Sequence, residues 1–278
     1  MPAHWIDTHH HLWRYNESDY PWMSNNMTKL RRDFLTRDLE AVTIPHGVGA
    51  TIAVQARQQL DETEFLLSTA RESTLIQGVV GWVPLIAPDI EDYLDRFAQD
   101  PLLKGVRHVL HDEPDPFYML REDFNTGIAK LAHYNLSYDL LVFARHLPQT
   151  IEFVDSRPNQ IFILDHIAKP SITGDRLTEW AMGLRSLAER QNVFCKVSGM
   201  VTEAEWNSWT EDQLRPYWDV VLSAFGADRL MFGSDWPVLT LASNYEDWLR
   251  VVTNWVEELS VDEAEAIRQK TAKKIYRL

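Results

Sequence analysis

The sequence has one cysteine, Cys195, in 278 residues, so no disulfide can close within the chain. That fits a reducing compartment. No apolar run approaches the roughly 18 residues of a membrane span, and no basic-plus-apolar leader opens the chain. The expectation is a soluble, cytoplasmic protein. An excess of positive charge is also missing: 27 Lys and Arg stand against 41 Asp and Glu, for a net charge of −14. This argues against nucleic acid or an anionic membrane as partner. An anionic small molecule stays open, because local arginines can override the global sign. Neither G-x-G-x-x-G nor G-x-x-x-x-G-K-[ST] occurs, so a nucleotide cofactor is not expected. No serine sits in a G-x-S-x-G turn. Cys195 lies within an apolar stretch and reads as core. Nucleophilic serine or cysteine catalysis is therefore unsupported, and activated water remains. There is no internal repeat, low-complexity segment or interdomain linker.

What is present is a regular alternation. Eight short apolar strands read at 6–13, 49–55, 78–84, 103–109, 137–143, 161–166, 193–199 and 230–235. Helical segments read at 34–43, 61–73 (Asp61 as N-cap), 89–99, 125–133, 148–156, 178–190 and 214–225, with two more at 244–258 and 261–275. That pattern is the signature of one (β/α)8 TIM barrel spanning residues 1–278, with C-terminal helices. An apolar fraction of 45% is ordinary for a chain that buries a full core. Eleven tryptophans are many, and several fall in expected loops. Trp13, Trp22, Trp82 and Trp236 are read as walls of a ligand pocket. The long polar and aromatic connection from Arg14 to Arg32 is read as functional.

In such a barrel the strand C-termini carry the chemistry. Polar residues gather there while the strand bodies look almost wholly apolar. The opening Ile6-Asp7-Thr8-His9-His10-His11-Leu12-Trp13 alternates on a strand, so His9 and His11 share a face and His10 takes the other. Two imidazoles on one face can hold a divalent metal, a water or a carbonyl oxygen. His166, after Asp165, reads as a metal ligand or general acid, with a hydrogen-bonded core histidine as the plain alternative. Asp235 lies in Phe232-Gly233-Ser234-Asp235-Trp236-Pro237, where burying a carboxylate is costly unless it is paired. It reads as a catalytic base taking a proton from water, or else as an N-cap. Arg107 is a candidate carboxylate or oxyanion clamp. Gln55, Arg57, Trp82, His108, Lys169 and Trp236 are candidate substrate-binding residues. His111 and His146 read as loop histidines.

These residues also carry a resemblance. Asp7 to Trp13, Tyr20-Pro21-Trp22, Val54-Gln55-Ala56, Lys104-Gly105-Val106-Arg107, Leu164 to Pro170, Lys196-Val197-Ser198-Gly199 and Phe232 to Pro237 together resemble the amidohydrolase-related family. Within it the chain is similar to the branch of sugar-lactone and muconolactone hydrolases, which includes L-fuconolactonase-like proteins. The resemblance implies a distorted (β/α)8 barrel; the leading expectation is hydrolysis of a small-molecule lactone, with Asp235 activating water and Arg107, His9 and His11 stabilising the oxyanion. It implies His9, His11, His166 and Asp235 as the set that would hold a single zinc ion. Members of the branch work with or without metal, so both stay open. The chain departs from relatives with binuclear centres: its fourth strand ends Arg107-His108 and its fifth Phe143-Ala144-Arg145-His146. Two further readings stand beside lactone opening: a metal-dependent decarboxylase of an unsaturated carboxylic acid, and a catalytically inert barrel that binds a sugar acid. Monomer and homodimer are equally compatible with the sequence.

Overall fold

A computed structural model describes residues 5–172 and 177–278. Eight parallel strands run in order around a barrel: β1 (Trp5–His10), β2 (Val48–Val54), β3 (Ile76–Gly81), β4 (Leu103–His108), β5 (Ser137–Leu140), β6 (Phe162–Leu164), β7 (Val193–Val197) and β8 (Leu230–Phe232). Helices α1 (Thr36–Thr43), α2 (Leu60–Arg71), α3 (Ile90–Phe97), α4 (Glu122–Leu131), α5 (Leu147–Asp155), α6 (Leu177–Ala188), α7 (Glu211–Phe225) and α8 (Tyr245–Glu257) connect or follow them. The seam between β1 and β8 is closed by three short bonds. Thr8 Oγ1 donates to the Phe232 carbonyl, Asp235 N to the His9 carbonyl and His11 N to the Trp236 carbonyl, each at 2.7 Å. Among the described residues no helix is long and apolar enough to cross a membrane.

Helix boundaries differ from the sequence reading mostly at the N-terminal ends. Helix α4 starts at Glu122 and α7 at Glu211, because acidic residues favourable in a first turn precede the apolar stripe. In α2 the N-cap position is Gln59, and Asp61 lies inside the first turn.

The core has two parts. One fills the space between strands and helices; the other fills the barrel itself, with Ile6, Ile52, Val80, Ile163, Phe194 and Met231 from six strands. The tail closes the floor. Helices α9 (Val261–Glu265) and α10 (Thr271–Tyr276), joined by a π-helical turn, bring Ala272, Ile275 and Tyr276 into the same interior cluster.

The strands β5, β6 and β8 are shorter than the apolar runs that encode them. After β6 the chain turns through four consecutive residues with positive φ: His166 (52°), Ile167 (50°), Ala168 (63°) and Lys169 (45°). None is glycine, and each such residue costs about 1–2 kcal/mol. That strain ends the strand and swings His166 over the barrel mouth.

Candidate active site

The site is a second layer built on the apolar one. Strand periodicity carries it: Ile163 points inward, so Asp165 two residues on does too, and Phe194 likewise places Lys196. Asp139 from β5 and Arg107 from β4 complete a ring of four charges above the apolar plug. Asp139, Asp165 and Lys196 are fully buried, and Arg107 nearly so. The expectation of apolar strand bodies is corrected here, because Asp139, Lys196 and Arg107 lie within strands. The chain tolerates them because they neutralise one another.

Strict alternation from Ile6 would send Thr8 and His10 inward. A register shift between Asp7 and His10 adds a residue to β1 and turns His9 and His11 into the barrel instead. His10 faces outward onto Thr51 Oγ1 at 3.0 Å. Asp7 anchors the bulge, accepting from the backbone N–H groups of His9 (3.1 Å) and Ser234 (2.8 Å) and from the Tyr245 hydroxyl (3.0 Å).

Three imidazoles then meet one carboxylate. Asp235 Oδ1 lies 3.4 Å from His11 Nε2 and 3.8 Å from both His9 Nε2 and His166 Nε2. All four residues are buried. The Asp235 carboxylate turns to the histidines and the short helical turn that follows has Pro237 at its N-cap position, so the N-cap alternative does not describe Asp235. Each imidazole has a partner behind it at Nδ1: Lys196 Nζ (3.3 Å) and the nearby Asp165 Oδ1 (3.2 Å) for His9, the Val54 carbonyl (2.8 Å) for His11 and Ser198 Oγ (2.8 Å) for His166. The Val54 carbonyl can only accept, so His11 keeps its proton on Nδ1 and a lone pair on Nε2. Both nitrogens of His9 face donors, Arg107 Nη1 at 3.3 Å from Nε2 and Lys196 Nζ at 3.3 Å from Nδ1. The Nε2 atoms of His9 and His11 stand 3.3 Å apart beside the Asp235 oxygen. His9, His11 and Asp235 have donor atoms within 4.8 Å of one another. That donor set fits a small divalent cation, and the partners at Nδ1 are the kind that orient metal ligands.

The electrostatics follow from burial. Desolvation pushes His9 and His166 well below the ordinary imidazole range, so both are neutral. Burial pushes the Asp235 carboxyl up, but His166 and the hydrogen-bonded His11 outweigh it and hold the group below its ordinary value. Asp165 is likewise raised by burial and overruled by Lys196, His9 and Arg107, ending well below the carboxylate range. Asp139 is pushed up to about 6, mainly by burial. Burial lowers Lys196, but Asp139 and Asp165 more than compensate and its ammonium is held above the ordinary lysine value.

Among the other candidates, Arg107 Nη1 also bonds Asp165 Oδ2 at 2.9 Å, and Nη2 donates to the Gln55 carbonyl. Gln55 returns a bond from Nε2 to the Arg107 carbonyl at 3.2 Å, so the two strand ends brace each other. Trp82 Nε1 lies 3.4 Å from His108 Nδ1, and His108 Nε2 pairs with Glu113 at 2.6 Å. Lys169 pairs with Glu203 beside a cavity of about 370 Å³ that Phe143, Arg145 and Trp180 also line. Arg57 is engaged by Glu62, Asp61 and Asp19, which ties the 14–32 connection to α2. Trp13 is fully buried, its indole bonded to the Arg32 carbonyl at 2.9 Å, and Trp236 packs edge-on against Phe34. These two stand behind the histidines rather than lining an open wall. His146 is buried and His111 stacks on Phe143.

The sequence reading passed over Asp165, Lys196 and Asp139. The signal was there: each is a lone charge on an otherwise apolar strand or its end, and two sit two residues beyond an inward apolar side chain.

The family profile described as Amidohydrolase matches residues 6–278. The chain is similar to an L-fucono-1,5-lactonase from Burkholderia multivorans, 40% identical with 100% of this chain and 97% of that protein covered. It is also similar to an L-fucono-1,5-lactonase from Burkholderia ambifaria, 36% identical over 87% and 83% of the two chains. Among solved structures, a zinc-bound amidohydrolase from Burkholderia multivorans superposes with a TM-score of 0.96 at 40% identity, covering 99% of this chain and 100% of that one.

Proposed function

Because this chain belongs to the amidohydrolase family, and because its barrel mouth buries three inward imidazole nitrogens around one carboxylate, we propose that it hydrolyses a sugar lactone by water attack on the ring ester. The names of the two Burkholderia relatives support the six-membered 1,5-lactone of a deoxy sugar acid as substrate class, and with it a role in carbohydrate metabolism. The observation that carries the reading is the convergence of Asp235 with His9, His11 and His166.

In this reading Asp235 is ionised and accepts a proton from water at Oδ1. The water oxygen bonds to the ester carbonyl carbon, and the carbonyl electron pair moves onto oxygen. Arg107, a fixed cation beside His9, faces that oxyanion. Removing one such donor typically costs about 10²–10³ in rate. The C–O bond of the ring then breaks, and the leaving alkoxide takes the proton that Asp235 held, relayed through His166 Nε2. His9, His11, His166 and Asp235 are the residues that would hold a divalent metal. Such an ion, when bound, polarises the ester carbonyl and lowers the pKa of water.

Two measurements test the proposal. A pH-indicator screen of 1,5- and 1,4-sugar lactones and muconolactones, with and without chelator, is expected to give fastest opening for a 1,5-lactone of a deoxy sugar acid. No sugar lactone opening above its spontaneous rate would refute it. Asp235→Asn is expected to lower kcat by about 10²–10⁴ with the fold retained, and near-native turnover would remove Asp235 as the base.

A further inference from the structure

Beside the central cluster, three consecutive strand ends enclose the cavity of about 370 Å³, to which the proposed reaction gives no task. Its volume lies within the range of small-ligand sites, about 300–1,000 Å³. Phe143 and Arg145 reach it from beyond β5, Lys169 from beyond β6, and Thr202 and Glu203 from beyond β7. One strained turn joins this space to the central cluster. Lys169 N donates to the His166 carbonyl at 2.7 Å, and both residues have positive φ. The turn that brings His166 toward Asp235 thus also brings Lys169 to the cavity wall. On the β7 side, Thr202 Oγ1 donates to the Gly199 carbonyl at 2.9 Å, and Gly199 packs against the His166 ring. Cavity and cluster therefore share the C-terminal face of the barrel, with the His166 turn between them.

The charges select the ligand. Lys169 pairs with Glu203, and Arg145 and Glu179 also line the space, two cations against two carboxylates. Such a balance leaves no surplus to hold a phosphate or a free carboxylate. It suits a neutral ligand rich in hydroxyls, because a hydroxyl both donates and accepts. The Lys169 and Glu203 side chains are only 16% and 18% exposed, so a hydrogen bond to this pair is stronger than one at the open surface. Among the described residues, no hydrogen bond or ion pair engages the Arg145 guanidinium. It rests on the Phe143 ring at 4.5 Å, and its N–H groups stay available to a ligand. The His111 ring, stacked on Phe143 with centroids 4.6 Å apart, fixes that platform.

We infer that this cavity is a hydroxyl-recognition subsite, with Lys169, Glu203 and Arg145 as specificity-determining residues that bind vicinal ring hydroxyls of the lactone while its ester lies at the Asp235 cluster. One hydroxyl donates to Glu203 and accepts from Lys169, and its neighbour accepts from Arg145. The inference deepens the lactone reading and rests on it for the ester, but not for the hydroxyls.

Two measurements on the full chain test it. The first compares kcat/KM for the 1,5-lactone of a deoxy sugar acid with that for δ-valerolactone, which has the same ring and no hydroxyls. Wild type is expected to prefer the hydroxylated ring by at least about a hundredfold. Arg145→Met and Lys169→Met are each expected to lower that preference by about 10–100-fold. A merely structural role would lower the melting temperature and leave the ratio between the two lactones unmoved. The second measurement needs no catalysis: calorimetric titration with a methyl pyranoside of a deoxyhexose, which carries ring hydroxyls and no ester. It is expected to bind wild type and to bind each variant at least about tenfold more weakly. A preference within about threefold of wild type in both variants overturns the inference, as does a wild type that does not bind the pyranoside. If Lys169→Met does not fold, Arg145→Met decides alone, because its exposed side chain has no polar partner to lose. Pyranoside binding that depends on these residues, without turnover of any lactone, would count against the reaction and leave the subsite standing.

Discussion

Gly199→Ala places a methyl group where the His166 ring lies. The added carbon would sit 2.7 Å from His166 Cγ and Nδ1 and 2.9 Å from its Cβ. An ordinary contact needs about 3.5 Å, so the ring must retreat by about 0.8 Å. It has little room. Ser198 Oγ holds Nδ1 at 2.8 Å, and the His9 ring centroid is 4.3 Å away on the other side. Gly199 also has φ +65°, which adds about 1–2 kcal/mol for alanine. For a chain of this size that corresponds to a fall of a few degrees in melting temperature. A misplacement near 1 Å at a reacting group costs on the order of 10² in rate. The expected result is a folded protein with a slightly lower melting temperature and kcat/KM for lactone opening reduced about a hundredfold. Indicator-based rates and a thermal melt on the same preparation check both parts. A stable Gly199→Ala protein with activity within about threefold of wild type would refute the claim that His166 must stand where it does.

Two other outcomes follow from the same geometry. Ser198→Ala removes the partner of His166 Nδ1 and is expected to weaken zinc binding or turnover by about 10–100-fold, read by metal titration and kinetics, with unchanged values counting against an orienting role. Burial, reinforced by the Asp165 charge, raises the Cys195 thiol far above its ordinary value. Being fully buried, it is expected to stay protonated and unreactive toward a disulfide reagent at pH 8 and to react fully on denaturation. Rapid labelling of the native protein would contradict that.

The eight-strand alternation was legible because each strand faces apolar surroundings on both sides and so writes a continuous apolar run. The histidine pair, His166 and Asp235 were legible because polar groups at strand ends have no packing reason to be there. Their geometry was not. His9 and His11 face inward through a bulge in β1, and a bulge is chosen by how β1 meets its neighbours. The left-handed turn from His166 to Lys169 contains no glycine to announce it.

The composition and order of residues by themselves determined a barrel of parallel strands and the four side chains of the central cluster. Tertiary structure alone decided the charges beneath. Asp139, Lys196 and Arg107 come from three strands and Asp165 from just past a fourth, and each is unfavourable in isolation. They become tolerable only when closure of the barrel brings them within ion-pair distance of one another. Pairwise electrostatics depends on separation in space, and separation along the chain says nothing of it.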